Sequence, residues 1–279
     1  MVKKLTVILA LLLASSGGAF ARISPRVPFH VGEKLTYQIF WGPFVVGRAS
    51  LEVAGIEKVD GHDCYHLVAK AKTSGLAELL FPVDSTAESW LDCQELCTRR
   101  YRQNRSEGKH VTNDETHYDY DHMVAITRNT KGREKRVAFN QPVQDVISSL
   151  YFVRAQRLML DAEQTFLLNA GATNYVVTLR PDERKELWLR PVGNIQALRI
   201  EPTPTLRIVA ANNGRMWFWV SDDERRLPLL VNSELKFGSA KLVLYSINAG
   251  QPAAAETNGT AGSTAAAATP STATLATRH

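Results

Sequence analysis

The sequence predicts a mainly β fold, a strongly curved antiparallel sheet or open β-barrel with one packed α-helix. Three observations carry this expectation. Apolar and polar residues alternate at period two in stretch after stretch, as in Leu35-Thr36-Tyr37-Gln38-Ile39, Tyr65-His66-Leu67-Val68-Ala69 and Tyr175-Val176-Val177-Thr178-Leu179, the pattern of strands. Gly, Pro, Asn and Asp separate many of these runs at the short spacing of antiparallel connections. Helical periodicity is clearest in one place, between about 145 and 160. The 279 residues, 44% hydrophobic, 8% aromatic and 22% charged, have the balance of a globular chain with a core rather than of a disordered or coiled-coil one.

The chain begins with a basic pair, Lys3 and Lys4, then the apolar run Leu5 to Leu13, then Ala19-Phe20-Ala21. This is the order of a secretory signal peptide, so 1–21 is expected to be removed and the mature chain to start at Arg22. The apolar run is far shorter than the roughly 20 residues a membrane-spanning helix needs. No cysteine follows the small residues, so a lipid anchor is not expected.

Strand-like runs follow at 35–39, 44–57, 65–69, 84–91, 97–106, 110–120, 123–130 and 133–139, and after the helix at 175–179, 184–190, 195–201, 215–221, 227–236 and 239–247. In the helix, Asp145 is placed to cap the first turn, and Val146, Ile147, Leu150, Tyr151, Val153 and Leu158 form a broad apolar stripe. Arg154 lies on that stripe one turn after Leu150. Its charge must meet a carboxylate there or emerge at the mouth of a cavity. From 250 to 279 the composition shifts to Ala, Thr, Ser, Gly and Pro, with only Glu256 and Arg278 charged, and a disordered tail is expected. One β-rich domain, 22–249, remains.

The formal net charge of +5 includes Lys3 and Lys4 of the leader, and the remainder is too small to imply a nucleic-acid partner. Cys64, Cys93 and Cys97 would allow one disulfide and one free thiol in an oxidising compartment. Cys93-Gln-Glu-Leu-Cys97 has three residues between its cysteines, not the two of the redox motif. A structural bridge or none is expected.

Two clusters have the residue types of a metal or acid–base site. His62, Cys64 and His66 would share one face of a strand and offer two imidazoles and a thiolate, but Gly61-His62 reads as a turn and no fourth ligand is evident. His110, Asp114, Glu115, His117, Asp119, Asp121 and His122 are rich in ligands. There, however, Tyr118 and Tyr120 alternate with His117, Asp119 and Asp121, as on a strand with one solvated face. The basic runs Arg99, Arg100, Arg102, Arg105 and Lys131, Arg133, Lys135, Arg136 could engage phosphate-bearing lipid or polysaccharide, but read first as solvated faces or protected edges. Ser221-Asp222-Asp223, ahead of Arg225, Arg226 and Pro228, reads as a hairpin turn. Common hydrolase, zincin and nucleotide-binding signatures are absent, and neither a cofactor nor a catalytic role is expected.

Met216-Trp217-Phe218-Trp219-Val220 puts large side chains on both faces of one strand, so either both faces are covered or one lines a cavity. With Trp41, Phe44, Trp90 and Trp188 elsewhere, an apolar pocket is within reach of the composition.

Several stretches together resemble the bacterial DUF3108 family, exported proteins of unassigned function. Phe29-His30-Val31-Gly32-Glu33-Lys34-Leu35-Thr36-Tyr37, with Trp41-Gly42 and Gly47, is similar to its opening strand pair. Gln144-Asp145-Val146-Ile147-Ser148-Ser149-Leu150-Tyr151-Phe152-Val153-Arg154 resembles its central helix entry, and Trp219 to Pro228, with Phe237-Gly238, its closing hairpin. The resemblance spans about 29 to 247. It implies an exported, mostly β protein of the bacterial envelope and brings no catalytic residues. The expectation drawn from residues and resemblance together is a noncatalytic periplasmic binding protein for a hydrophobic or amphipathic, lipid-like ligand. Its site would be lined by Leu150, Tyr151, Trp217 and Trp219, with Arg154 near the polar end. The alternatives are an envelope protein-interaction or scaffold protein with a solid core, or a metal-dependent enzyme built on the histidine clusters.

Overall fold

The period-two pattern becomes a long ladder of strands in the computed structural model, which describes residues 25–108, 110–203, 215–235 and 238–250. The segment 1–21, expected to be a signal peptide, and the segment beyond Gly250, expected to be a disordered tail, lie outside the described residues. Before the helix the strands are β1 (Glu33–Trp41), β2 (Phe44–Val59), β3 (His62–Thr73), β4 (Val83–Asp92), β5 (Thr98–Glu107), β6 (His110–Asp119), β7 (Val124–Asn129), β8 (Glu134–Ala138) and β9 (Val143–Gln144). After it come β10 (Gln164–Asn169), β11 (Asn174–Leu179), β12 (Pro181–Leu189), β13 (Gly193–Ile200), β14 (Met216–Ser221), β15 (Pro228–Leu235) and β16 (Gly238–Ala249). Thirteen form one antiparallel sheet in the order β12-β13-β14-β15-β16-β1-β2-β3-β4-β5-β6-β7-β8, and β11-β10-β9 form a second.

The large sheet does not close, since β12 and β8 remain edges. It curves, and the register shows where. Shifts fall between Thr36 and Tyr37, between Ile39 and Phe40, between Val53 and Gly55, and between Trp90 and Leu91, and such bulges bend a strand and tighten its twist.

The concavity is filled by α2 (Val146–Ala155) and the small sheet. Ile147 and Tyr151 of α2 pack with Val53, Leu67 and Leu91 of the large sheet. Val153, Leu168, Val177 and Leu179 pack against Leu198, Ile200 and Val220, toward the β12 end. On the other side Val143 and Leu167 meet Tyr118 and Ala125, near the β8 end. The small sheet thus spans the gap that the open edges leave.

The helix is held by its first turn. Asp145 accepts hydrogen bonds from the backbone N–H of Ile147 and Ser148, and Ser148 Oγ accepts from the Asp145 N–H, a reciprocal cap. Ser89 Oγ and Thr98 Oγ1 also donate to the Asp145 carboxyl, tying the helix to β4 and β5. The helix stops at Ala155 rather than near 160, because Gln156 turns extended and its N–H bonds to the Val153 carbonyl. Leu158, expected on the stripe, is buried from non-helical chain instead. A second helix, α1 (Leu76–Leu80), was not expected: five residues, Leu-Ala-Glu-Leu-Leu, are too few to show a helical period.

Candidate functional site

The concave face is longer than its helix. The twelve residues of β3 extend about 40 Å at roughly 3.3 Å each, whereas the ten of α2 reach about 15 Å. Beyond Ile147 and Leu150 the sheet therefore has no helix above it, and its residues there are small. Ala49 pairs with Ala71, Ala71 with Ser85, and Ala69 with Ala87 across adjacent strands. The result is a cavity of about 250 Å³ between these alanines, Ile147 and Leu150 of α2, and Val231 and Leu242 from β15 and β16. Its wall is mostly apolar. One polar group in it, Ser85 Oγ, is buried without a hydrogen-bond partner.

Of the five residues the sequence nominates, the structure places Leu150 on this cavity and the other four elsewhere. Tyr151 is buried in the core, edge-on to Phe29 with ring centroids 5.0 Å apart. Trp217 and Trp219 pack with Leu35, Leu229 and Leu244, while Phe218 and Val220 of the same strand face the small sheet, so both faces of β14 are covered. Arg154 is 1% exposed in its side chain and paired bidentately with Glu33, at 2.6 and 2.9 Å. It also donates to the Pro28 and Arg225 carbonyls and lies 5.4 Å from the ring centres of Phe29 and Tyr151. It fastens three segments and sits at the floor of a separate cleft of about 430 Å³, rimmed by Arg26, Arg157 and Arg226.

The alanines were missed because small residues carry weight only by alternation. Ala49, Ala69, Ala71 and Ala87 each stand on the inward phase of their strands, and that phase was the available signal.

The histidine clusters are engaged on the convex face. His66 stacks on Trp90 with centroids 4.7 Å apart and planes 5° from parallel, and its two ring nitrogens lie 3.0 Å from Glu57 and 3.2 Å from Glu88. Trp90 Nε1 donates to Glu57 at 2.7 Å, and the guanidinium groups of Arg100 and Arg102 lie 5.0 and 5.6 Å from its ring centre. His62 pairs with Asp92, and Cys64 is buried with Val59 and Trp90. In the second cluster Glu115 binds Arg100, His117 faces Asp60 and His122 faces Asp119, while Tyr118 is buried. Among the described residues no three His, Cys, Asp or Glu side chains converge as a metal site needs.

The three cysteines are free thiols. Burial pushes Cys64 up to about 12 and Cys93 to about 11, and raises Cys97, so none is set up as a thiolate nucleophile. No helix among the described residues is long and apolar enough to cross a membrane, which says nothing of strands.

Solved structures resemble this architecture at low identity. A β-barrel-like protein of the domain of unknown function DUF1849 from Brucella abortus aligns with a TM-score of 0.52 at 9% identity, over 81% of this chain and all of that one. A protein from Bacteroides fragilis described as having a YmcC-like fold aligns over the same shares at 9% identity, with a TM-score of 0.32. The first likeness supports the fold alone. No curated protein matches the chain. The family model of DUF3108, a protein of unknown function, matches residues 36–245, nearly the whole large sheet with the helix and small sheet it encloses, and the chain therefore belongs to the DUF3108 family.

Proposed function

We propose that this chain is an exported, noncatalytic binding protein of the bacterial envelope that holds the apolar part of a hydrophobic or amphipathic ligand on its concave face. The observation that supports the reading is the cavity of about 250 Å³ beyond α2, walled by alanines and by Ile147, Leu150, Val231 and Leu242. The hollow is half open to the surface, and larger side chains in place of Ala49, Ala69, Ala71 and Ala87 would fill it and gain dispersion contacts. Its volume lies just below the range of drug-sized small-molecule sites, roughly 300 to 1,000 Å³. It suits one acyl chain or a comparable apolar group, with the polar end outside. The Ser85 hydroxyl offers one hydrogen bond inside. Export rests on the leader-like sequence Lys3 to Ala21.

Native mass spectrometry of the protein purified after export, followed by solvent extraction, tests the proposal. A copurifying apolar mass, released on denaturation, is expected. A bare protein that also takes up no fatty acid or lysolipid would overturn the reading in favour of a protein-interaction role.

A further inference from the structure

At one end of the large sheet three chain crossings meet: the β1–β2 turn, the 74–82 segment with α1, and the β5–β6 turn. Apolar side chains stand out from all three. Leu76, Leu79, Leu80 and Phe81 are 80%, 81%, 73% and 75% exposed, Phe44 71% and Val111 67%, with Trp41 and Val45 beside them. This is not a frayed segment. Thr73 Oγ1 accepts from the Val83 N–H and donates to the Phe81 carbonyl, the Ser74 N–H bonds to Val46, and the Gly108 N–H bonds to Pro82. Both ends of the 74–82 segment are thus pinned, and its side chains are held outward.

We propose that this end is a membrane-docking tip that enters the interfacial layer of a lipid bilayer. A folded protein partner would need a matching hollow for each of these separated, protruding side chains, whereas a fluid bilayer needs only depth. An apolar surface of this kind sinks about 5–10 Å into the boundary between headgroups and acyl chains. Tryptophans such as Trp41 favour that depth. The charges behind the tip fit as well. Arg48, Lys70 and Lys241 lie on the convex phase of β2, β3 and β16 and have no carboxylate partner among the described residues, while Lys72 is neutralised by Asp84. Arg48 pairs across the ladder with Lys72, two residues from Ser74, or about 7 Å behind the base of the loop. That is the level at which lipid phosphates would meet Arg48, with Lys70, four residues from Ser74, about 13 Å behind the base. Among the described residues at this end Glu78 and Glu234 are the acids without ion pairs, two against the three unpaired bases.

The tip stands on its own observations and does not depend on the cavity being filled. If both hold, the bilayer is the source of the ligand. The pair Gly47–Thr73, which leads into the loop, is the next on the concave face toward the tip after Ala49–Ala71 of the cavity wall.

The test is flotation of the exported, leader-free protein with vesicles of phosphatidylethanolamine and phosphatidylglycerol. It compares wild type with Leu79→Ser/Leu80→Ser/Phe81→Ser and with Arg48→Glu/Lys70→Glu/Lys241→Glu. Circular dichroism melts confirm that each variant is folded. Wild type is expected to float. The apolar triple should lose binding at least tenfold, and the charge triple several-fold, with wild-type binding weakening as salt rises. Failure of wild type to float, or equal flotation of the apolar triple, would overturn the proposal. So would a wild-type dimer that the apolar triple abolishes, since the tip would then be a self-association surface. Flotation of a protein that native mass spectrometry finds empty would keep the docking tip and remove the cavity reading.

Discussion

Arg154 and Glu33 are 121 residues apart in sequence and form the most deeply buried ion pair among those described. A buried charge that loses its partner costs far more than the intact pair contributes. Arg154→Ala is therefore expected to destabilise the protein by about 3–5 kcal/mol in urea denaturation, and Glu33→Gln by a similar amount. Replacing both with apolar residues of similar volume should recover most of the loss. A near-neutral Arg154→Ala would show that Glu33 is hydrated or protonated without it. Asp92 makes the residue-scale case for pH. Burial alone would raise its pKa, but hydrogen bonds from the backbone N–H of Glu95 and Gln94 and the Arg99 guanidinium more than offset this and hold it below the ordinary 3.8. The folded carboxyl binds its proton less tightly than the unfolded one. Its contribution is therefore complete above about pH 4 and drains away as pH falls through the lower folded value. Asp92→Asn should accordingly lower stability near pH 7 and flatten its loss on the acid side, as followed by urea midpoints between pH 2 and pH 7.

At the scale of elements, α2 depends on one side chain at its entry. The Asp145 carboxyl collects bonds from two backbone N–H groups and from Ser89 and Thr98. Burial nonetheless pushes its pKa up, those hydrogen bonds opposing. Asp145→Ala leaves these donors buried without an acceptor and should cost about 2–4 kcal/mol, whereas Asp145→Asn, close in shape to the protonated acid, should cost about half as much. Equal losses in the two variants would contradict this account of the cap. The wall opposite α2 behaves in the other sense. Ala71→Leu places a branched side chain in the cavity, where the space exists, and is expected to change stability by less than about 1 kcal/mol while abolishing uptake of an apolar ligand. In a filled core the same change would cost about 1–3 kcal/mol through overpacking, and that result in a thermal melt would show that no usable void exists there.

For the molecule as a whole, the legible part was local. Alternation at 35–39, 65–69 and 175–179 marked strands because every second residue of a half-covered strand must be apolar, and Asp145 marked a helix entry because a cap is chosen within four residues. The helix end at Ala155 was not legible, since Leu158 satisfies an apolar stripe whether it is helical or extended. Nor was the fate of β14. Its tryptophans announce burial but not against what, and it took β13, β15 and the small sheet to cover both faces. Three of the five nominated site residues, Tyr151, Trp217 and Trp219, pack with the core for the same reason, since large aromatic side chains gain most by leaving water, whereas Arg154 is held by its ion pair with Glu33. The sequence by itself determined the strand-rich composition, the leader-like start, the helix entry and the pattern of the DUF3108 family, all of which are written in short windows. Only the tertiary structure decided that the sheet stays open, that Arg154 meets Glu33, that alanines from separate strands line one cavity and that the apolar side chains near α1 stand in solvent. Those outcomes depend on which distant residues become neighbours, and that is set by the curvature of thirteen strands around a helix too short to cover them.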